Sequence, residues 1–142
     1  CGSYYHKELE VRLKDHLPEN VKFMPFLKRM DLAYACADLV VARAGAGTIS
    51  ELCLLGKAVV LVPSPNVAED HQTKNAMALV NKQAAVMIKD SEVIEQLGEV
   101  MNRLLQNDQE RNNLSEHILT LAMKDSDEVI AKEILQIVNC KF

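Results

Sequence analysis

Residues Asp38 to Glu51 read Asp-Leu-Val-Val-Ala-Arg-Ala-Gly-Ala-Gly-Thr-Ile-Ser-Glu, and they constrain the fold more tightly than any other stretch. A continuous apolar run, Leu39 to Ala42, passes without polar spacing into Ala44-Gly45-Ala46-Gly47 and then into an amphipathic run holding Ile49, Leu52, Cys53 and Gly56. An uninterrupted short apolar run suits a strand buried on both faces, and the spacing after the glycines is helical. The stretch predicts strand, glycine turn, helix. Two glycines let a backbone approach a ligand closely, and the N–H groups and dipole of the helix that follows favour a phosphate. A Gly-x-Gly at such a junction is as often a tight turn that serves packing, so both readings stay open for the turn alone. Arg43, just before it, can face an anion. Glu51 can be a ligand acceptor or the carboxylate of a capping box over Thr48-Ile49-Ser50-Glu51, where it would hold a backbone N–H.

Two further runs, Ala58 to Val62 and Ala84 to Ile88, are nearly all apolar and rich in β-branched residues. Together with Leu39 to Ala42 they predict an α/β fold, a Rossmann-like parallel sheet with helices on each side and right-handed crossovers. Before them, Ser3 to His16 is expected as a helix with Tyr5, Leu9 and Leu13 on one face, stopped by Pro18. Val21 to Phe26 is expected as a short strand with Pro25 near its end, and Met30 to Ala37 as a short helix. From Ser91 the chain is expected to be a helical tail, residues 91–142, of the same domain. Its stripes are Val93, Leu97, Val100, Met101 and Leu104, then Leu114, Ile118 and Leu121, then Ile130, Ile134, Ile137 and Val138, and each is expected to pack on a core.

Between the second and third strands, Pro63 to Asp70 leads into a helix expected over His71 to Asn81. In open α/β sheets ligands bind at the carboxyl ends of strands, so this loop and the glycine turn should face one crevice. Asp70, His71, Gln72 and Asn75 are the polar groups on offer there. Asp70 also reads simply as a helix cap, and a first-turn histidine or glutamine as a solvated side chain.

Composition narrows the function. At 142 residues the chain suits one domain, and with 49% apolar and 25% charged residues it is an ordinary globular sequence. A formal net charge of −4 and the lack of tryptophan argue against nucleic acid as a partner. Cys1, Cys36, Cys53 and Cys140 are far apart, without Cys-x-x-Cys or histidines at ligand spacing, so neither zinc nor a disulfide is expected, and Cys36 and Cys53 read as small core residues. No apolar run approaches a membrane span and no secretory signal opens the chain, which reads as cytoplasmic.

Three stretches in order carry a resemblance: Asp38 to Glu51, then Gly56-Lys57-Ala58-Val59-Val60-Leu61-Val62-Pro63, then Asp70-His71-Gln72-Thr73-Lys74-Asn75-Ala76. Together they resemble the carboxyl-terminal, donor-binding domain of the MurG-type N-acetylglucosaminyltransferases, from Cys1 to about Lys89. These bacterial enzymes have the GT-B architecture and transfer N-acetylglucosamine from UDP-N-acetylglucosamine to undecaprenyl-diphospho-muramoyl-pentapeptide, making lipid II for peptidoglycan. The resemblance implies that Phe26, Leu27 and Met30 border the uracil and that Arg43 lies on the nucleotide side of the cleft. It implies that Gly45, Ala46, Gly47 and Thr48 bring N–H groups to the diphosphate and sugar and that Glu51 takes the ribose hydroxyls. His71 and Gln72 would bind the N-acetylglucosamine hydroxyls, with Asn75 as scaffold.

The resemblance also implies a chain that is one portion of a longer protein. The acceptor domain, the donor domain's first strand and its Gly-Gly-Ser loop would all lie before Cys1. The lipid acceptor would then be met through that other domain, with only peripheral contact to the cytoplasmic face of the inner membrane. No catalytic residue is expected within these residues, and without an Asp-x-Asp sequence no metal or other cofactor is implied. A UDP-N-acetylglucosamine 2-epimerase and a noncatalytic nucleotide-sugar-binding subunit are the alternatives of the same architecture.

Overall fold

The structure is a computed structural model that describes residues 3–13, 16–66 and 70–139. The chain divides into two compact units, Cys1–Cys36 and Ala37–Phe142.

The first unit holds α1 (Ser3–Leu13) and α2 (Met30–Cys36). The ring of His6 in α1 stacks on Phe23 with centroids 4.8 Å apart. At the head of α2 the Arg29 guanidinium forks onto Asp31 and holds its carboxyl below the usual carboxylate range. Val21 to Phe26, expected as a strand, has no regular structure. A strand needs a neighbour along its ladder, and the sheet of the described residues consists of three other segments. Here Pro25 brings no N–H, and the Val21 N–H turns back onto the Pro18 carbonyl at 2.9 Å. Cys36, expected in a core, is exposed at the end of α2.

The second unit is built on a parallel sheet of β1 (Val40–Ala42), β2 (Val59–Leu61) and β3 (Val86–Met87), in that order. Val40 pairs with Val59 and Val60 with Val86. Backbone bonds carry the pairing past the strand ends, from Val62 N–H to Ala42 at 2.8 Å and from Ile88 N–H to Leu61 at 3.0 Å. The crossovers are α3 (Ala46–Leu55) and α4 (His71–Val80). As the central strand, β2 is buried on both faces, with Val59, Val60 and Leu61 each at 0% exposure. That is why its sequence is apolar without alternation.

A 3₁₀ turn, Asp90–Glu92, leads into α5 (Val93–Gln106), and α6 (Asp108–Leu119) follows. The stripe of α5 packs as expected, Leu104 joining Ala58, Val60, Ile88 and Leu114 in the core with Val93, Leu97 and Val100 against it. The Asn107 side chain caps α6 by accepting from the Glu110 N–H at 3.1 Å. Arg111 donates to the last carbonyls of α5, Leu104 and Leu105, at 2.7 Å each.

The third stripe departs from expectation. On α7 (Ser126–Asn139), Ile130, Ile134, Ile137 and Val138 are all at least half exposed. Helical periodicity shows that a helix has an apolar face and says nothing of what covers it.

Gly56 ends α3 in the left-handed region at φ 60°, with its N–H on the Cys53 carbonyl and that of Lys57 on the Leu52 carbonyl, both at 3.3 Å. A methyl there would also stand 3.4 Å from Leu119 Cδ1 and 3.5 Å from the Ser115 carbonyl. Gly56→Ala is therefore expected to destabilise the domain by about 1–2 kcal/mol. Urea unfolding should show a lower midpoint at unchanged slope; an unchanged midpoint would mean that the turn relaxes away from this conformation.

Candidate functional site

The apolar run of β1 ends at Ala42, and the chain turns through Arg43, Ala44 and Gly45 at the carboxyl edge of the sheet. Gly45 is the N-cap of α3, with extended backbone at φ −70° and ψ 144°, and the first helical bond runs from Ile49 N–H to its carbonyl at 3.0 Å. The N–H groups of Ala46, Gly47 and Thr48 precede that ladder and have no acceptor within the helix. Three donors and the positive end of the dipole thus stand together where the sequence places the phosphate-type turn.

The two glycines are not explained by the fold. Neither has a positive φ. A Cβ added at Gly47 would meet nothing within 4 Å, and one at Gly45 only Thr48 Oγ1 at 3.9 Å. Within a helix, glycine is about 1 kcal/mol less favourable than alanine, so Gly47 weakens α3 without relieving any internal crowding.

The start of α3 also removes one of the two readings of Glu51. The N-cap lies three residues ahead of Thr48, and it is a glycine without a side chain to reciprocate. Thr48-Ile49-Ser50-Glu51 is therefore not a capping box; Glu51 sits on the second turn with its side chain exposed.

Side chains from two other elements reach this turn. Asn75 Nδ2 in α4 donates to the carbonyl of the fully buried Ala44 at 3.2 Å, which makes Asn75 a tether between α4 and the turn. Arg43 Nη1 donates to the Val62 and Pro63 carbonyls, each at 3.3 Å, and pairs with the carboxylate of Asp90. Gln72 Oε1 accepts the Ser64 N–H at 2.9 Å. Because a backbone N–H can only donate, that bond fixes the orientation of the Gln72 amide and leaves its NH₂ as the group to offer a ligand.

His71 opens α4 on the exposed side. Asp70 holds the N-cap position, but in left-handed backbone at φ 55° and ψ 33°, and its side chain makes no capping bond, so the cap reading of its carboxylate does not hold. Phe26, Leu27 and Met30 belong to the first unit, the first two on the segment leading into α2 and Met30 as its first residue, and all three apolar side chains are exposed, Phe26 at 75%.

A cleft of about 430 Å³ opens beside this edge among Ser64, Asp70, Thr73, Lys89 and Asp90. Residues 45–48, 51, 71 and 72 are not part of its wall. Cys53 is buried behind them, and burial pushes its thiol pKa up, which keeps it an unreactive core group. Asp90 was not legible as part of the edge, since 47 residues separate it from Arg43 and its neighbours form no motif.

A parallel sheet whose carboxyl edge carries a glycine turn and the starts of two crossover helices defines a Rossmann-like α/β domain. Within that class, this chain belongs to the family of the glycosyltransferase family 28 C-terminal domain, which matches residues 1–132. Over 142 residues it is 51% identical to the UDP-N-acetylglucosamine--N-acetylmuramyl-(pentapeptide) pyrophosphoryl-undecaprenol N-acetylglucosamine transferase of Bacteroides thetaiotaomicron, covering 99% of this chain and 38% of that protein. The protein of the same name from Porphyromonas gingivalis is 58% identical over 138 residues, covering 97% of this chain and 36% of its own length. The crystal structure of Acinetobacter baumannii MurG aligns with a TM-score of 0.82 at 30% identity, over 96% of this chain and 40% of that one. The chain thus spans well under half of the relatives it matches, and both the fold class and the MurG-type resemblance read from the residues hold.

Proposed function

We propose that this chain is the donor-binding portion of an N-acetylglucosaminyltransferase that makes lipid II, and that its carboxyl edge holds UDP-N-acetylglucosamine. The observation that carries the proposal is Gly47: a helical glycine that relieves no contact of its own, the middle one of three residues whose N–H groups have no acceptor within the helix, in a chain half identical to transferases named for that donor.

The proposed roles follow the chemistry of each group. Ala46, Gly47 and Thr48 N–H groups, with Gly45 opening the approach, face the diphosphate and sugar. Glu51 accepts from the ribose hydroxyls, and the Gln72 NH₂ and His71 meet the sugar hydroxyls. With Glu51 and His71 given to the donor, activation of the attacking hydroxyl is proposed to fall to the rest of the longer protein. During an inverting displacement the leaving diphosphate gains negative charge, and preorganised N–H groups at α3 stabilise it where it forms.

The acceptor is proposed to be undecaprenyl-diphospho-muramoyl-pentapeptide, reached from the cytoplasmic face of the inner membrane by peripheral association. Among the described residues no helix is long and apolar enough to cross a membrane.

Calorimetric titration of the full-length protein with UDP-N-acetylglucosamine, UDP-glucose and GDP-mannose tests the reading. Selective binding of the first is expected. Equal binding of all three, or of none, would overturn it, and inversion of the sugar without a lipid acceptor would favour an epimerase instead.

A further inference from the structure

We infer that Asp90 is a positioning residue for the glycine turn, acting through Arg43; the inference rests on the donor-site reading above. The Arg43 guanidinium ties together the carboxyl ends of all three strands. It leaves the chain one residue after β1, its Nη1 donates to the carbonyls of Val62 and Pro63 just past β2, and it pairs with Asp90, which opens the 3₁₀ turn after β3. The next residue after Arg43 is Ala44, whose carbonyl Asn75 holds from the other side, and the one after that is the N-cap of α3. Two consecutive residues are therefore fixed from two different elements immediately ahead of the ligand-facing N–H groups.

The pair is poorly placed to act as a stabiliser. Arg43 is 54% exposed and Asp90 37% exposed at the side chain, and ion pairs with that much solvent add little to stability. It is well placed to set a direction. All three contacts fall on Nη1, whose two hydrogens are shared among two carbonyls and a carboxylate, so the end of the side chain is anchored where the three strand ends meet. The neighbouring cation does not compete for the carboxylate, because Lys89 pairs with Glu92 at 3.5 Å.

The same pair neutralises the charge of Arg43. In this arrangement the diphosphate is met chiefly by the α3 N–H groups, while Arg43 holds the turn that presents them. That differs in sign from a direct phosphate contact. If Arg43 were a phosphate ligand restrained by Asp90, removing the carboxylate would free a cation and tighten donor binding; if Asp90 positions the turn, removing it loosens binding.

The test measures the dissociation constant for UDP-N-acetylglucosamine, kcat and KM, and the melting temperature in the full-length protein and its Asp90→Ala, Asp90→Glu, Arg43→Ala and double variants. Asp90→Ala is expected to weaken donor binding roughly 5- to 10-fold, with the double variant no worse than Arg43→Ala alone, as for two residues of one network. Asp90→Glu should recover a large part of the loss, and melting temperatures should stay close to that of the parent. Tighter binding in Asp90→Ala, unchanged binding with a lower melting temperature, or additive losses in the double variant would each overturn the inference. A parent protein that binds no UDP-N-acetylglucosamine would remove the donor reading and this inference with it, whereas a parent that binds normally beside indifferent Asp90 variants would remove the inference alone.

Discussion

Gly47→Ala is expected to make the domain more stable and the site worse. On the stability side, the added methyl enters open space and replaces glycine inside a helix, a gain of roughly 0.5–1 kcal/mol. For a domain of this size that corresponds to a rise in melting temperature of about 2–4 °C. On the binding side, the same methyl adds bulk at the middle one of the three residues, Ala46, Gly47 and Thr48, whose N–H groups are proposed to meet the diphosphate. Losing one preorganised donor to a developing negative charge raises a barrier by about 2.7–4 kcal/mol, so kcat should fall by about 10²–10³ if the diphosphate is displaced from one of them. Calorimetry, turnover and thermal unfolding of the same variant read both effects, and their opposite signs are the point. A glycine kept for packing would lose stability when substituted, and a glycine with no role would lose neither. Unchanged donor affinity beside a higher melting temperature would sink the assignment of this turn to the diphosphate.

The parts of the fold written in contiguous residues could be read in advance. β2 is apolar at every position because both its faces are covered, and the glycine turn lies between a strand and a helix because the hydrophobic period changes there. Contacts between distant residues could not be read. Arg43 and Asp90 meet across the strand ends, and Asn75 meets Ala44 from the next crossover, yet no local pattern marks either pair. The errors have the same origin. Val21 to Phe26 has strand composition without a partner strand in the described sheet, and the stripe of α7 has helical spacing without a cover. The helix start was misplaced for Glu51 because serine and threonine are stronger cap signals than the glycine that caps α3. The residues proposed to face the ligand were legible only through the ordered set of three motifs, since each group in it has an ordinary role when taken alone.

Glu51→Ala is expected to weaken UDP binding by one to two orders of magnitude while leaving the fold intact. With Gly45 as the N-cap, Glu51 does not stand at the capping-box position, and alanine is the most favourable residue for an exposed position within a helix. A carboxylate has acceptor sites enough for two neighbouring hydroxyls, and each hydrogen bond to a charged group contributes about 1.5–3 kcal/mol, more than the neutral acceptor of a glutamine would supply. The order of affinities for UDP should therefore run from the parent through Glu51→Gln to Glu51→Ala. A ligand change separates the ribose contact from any general effect on the site: 2′-deoxy-UDP should bind the parent much less tightly than UDP, whereas Glu51→Ala should hardly distinguish the two, because the group that senses the hydroxyl is gone. If Glu51→Ala instead kept its affinity and lost melting temperature, the carboxylate would be serving the helix, and the ribose would have to be read by another group along the same edge.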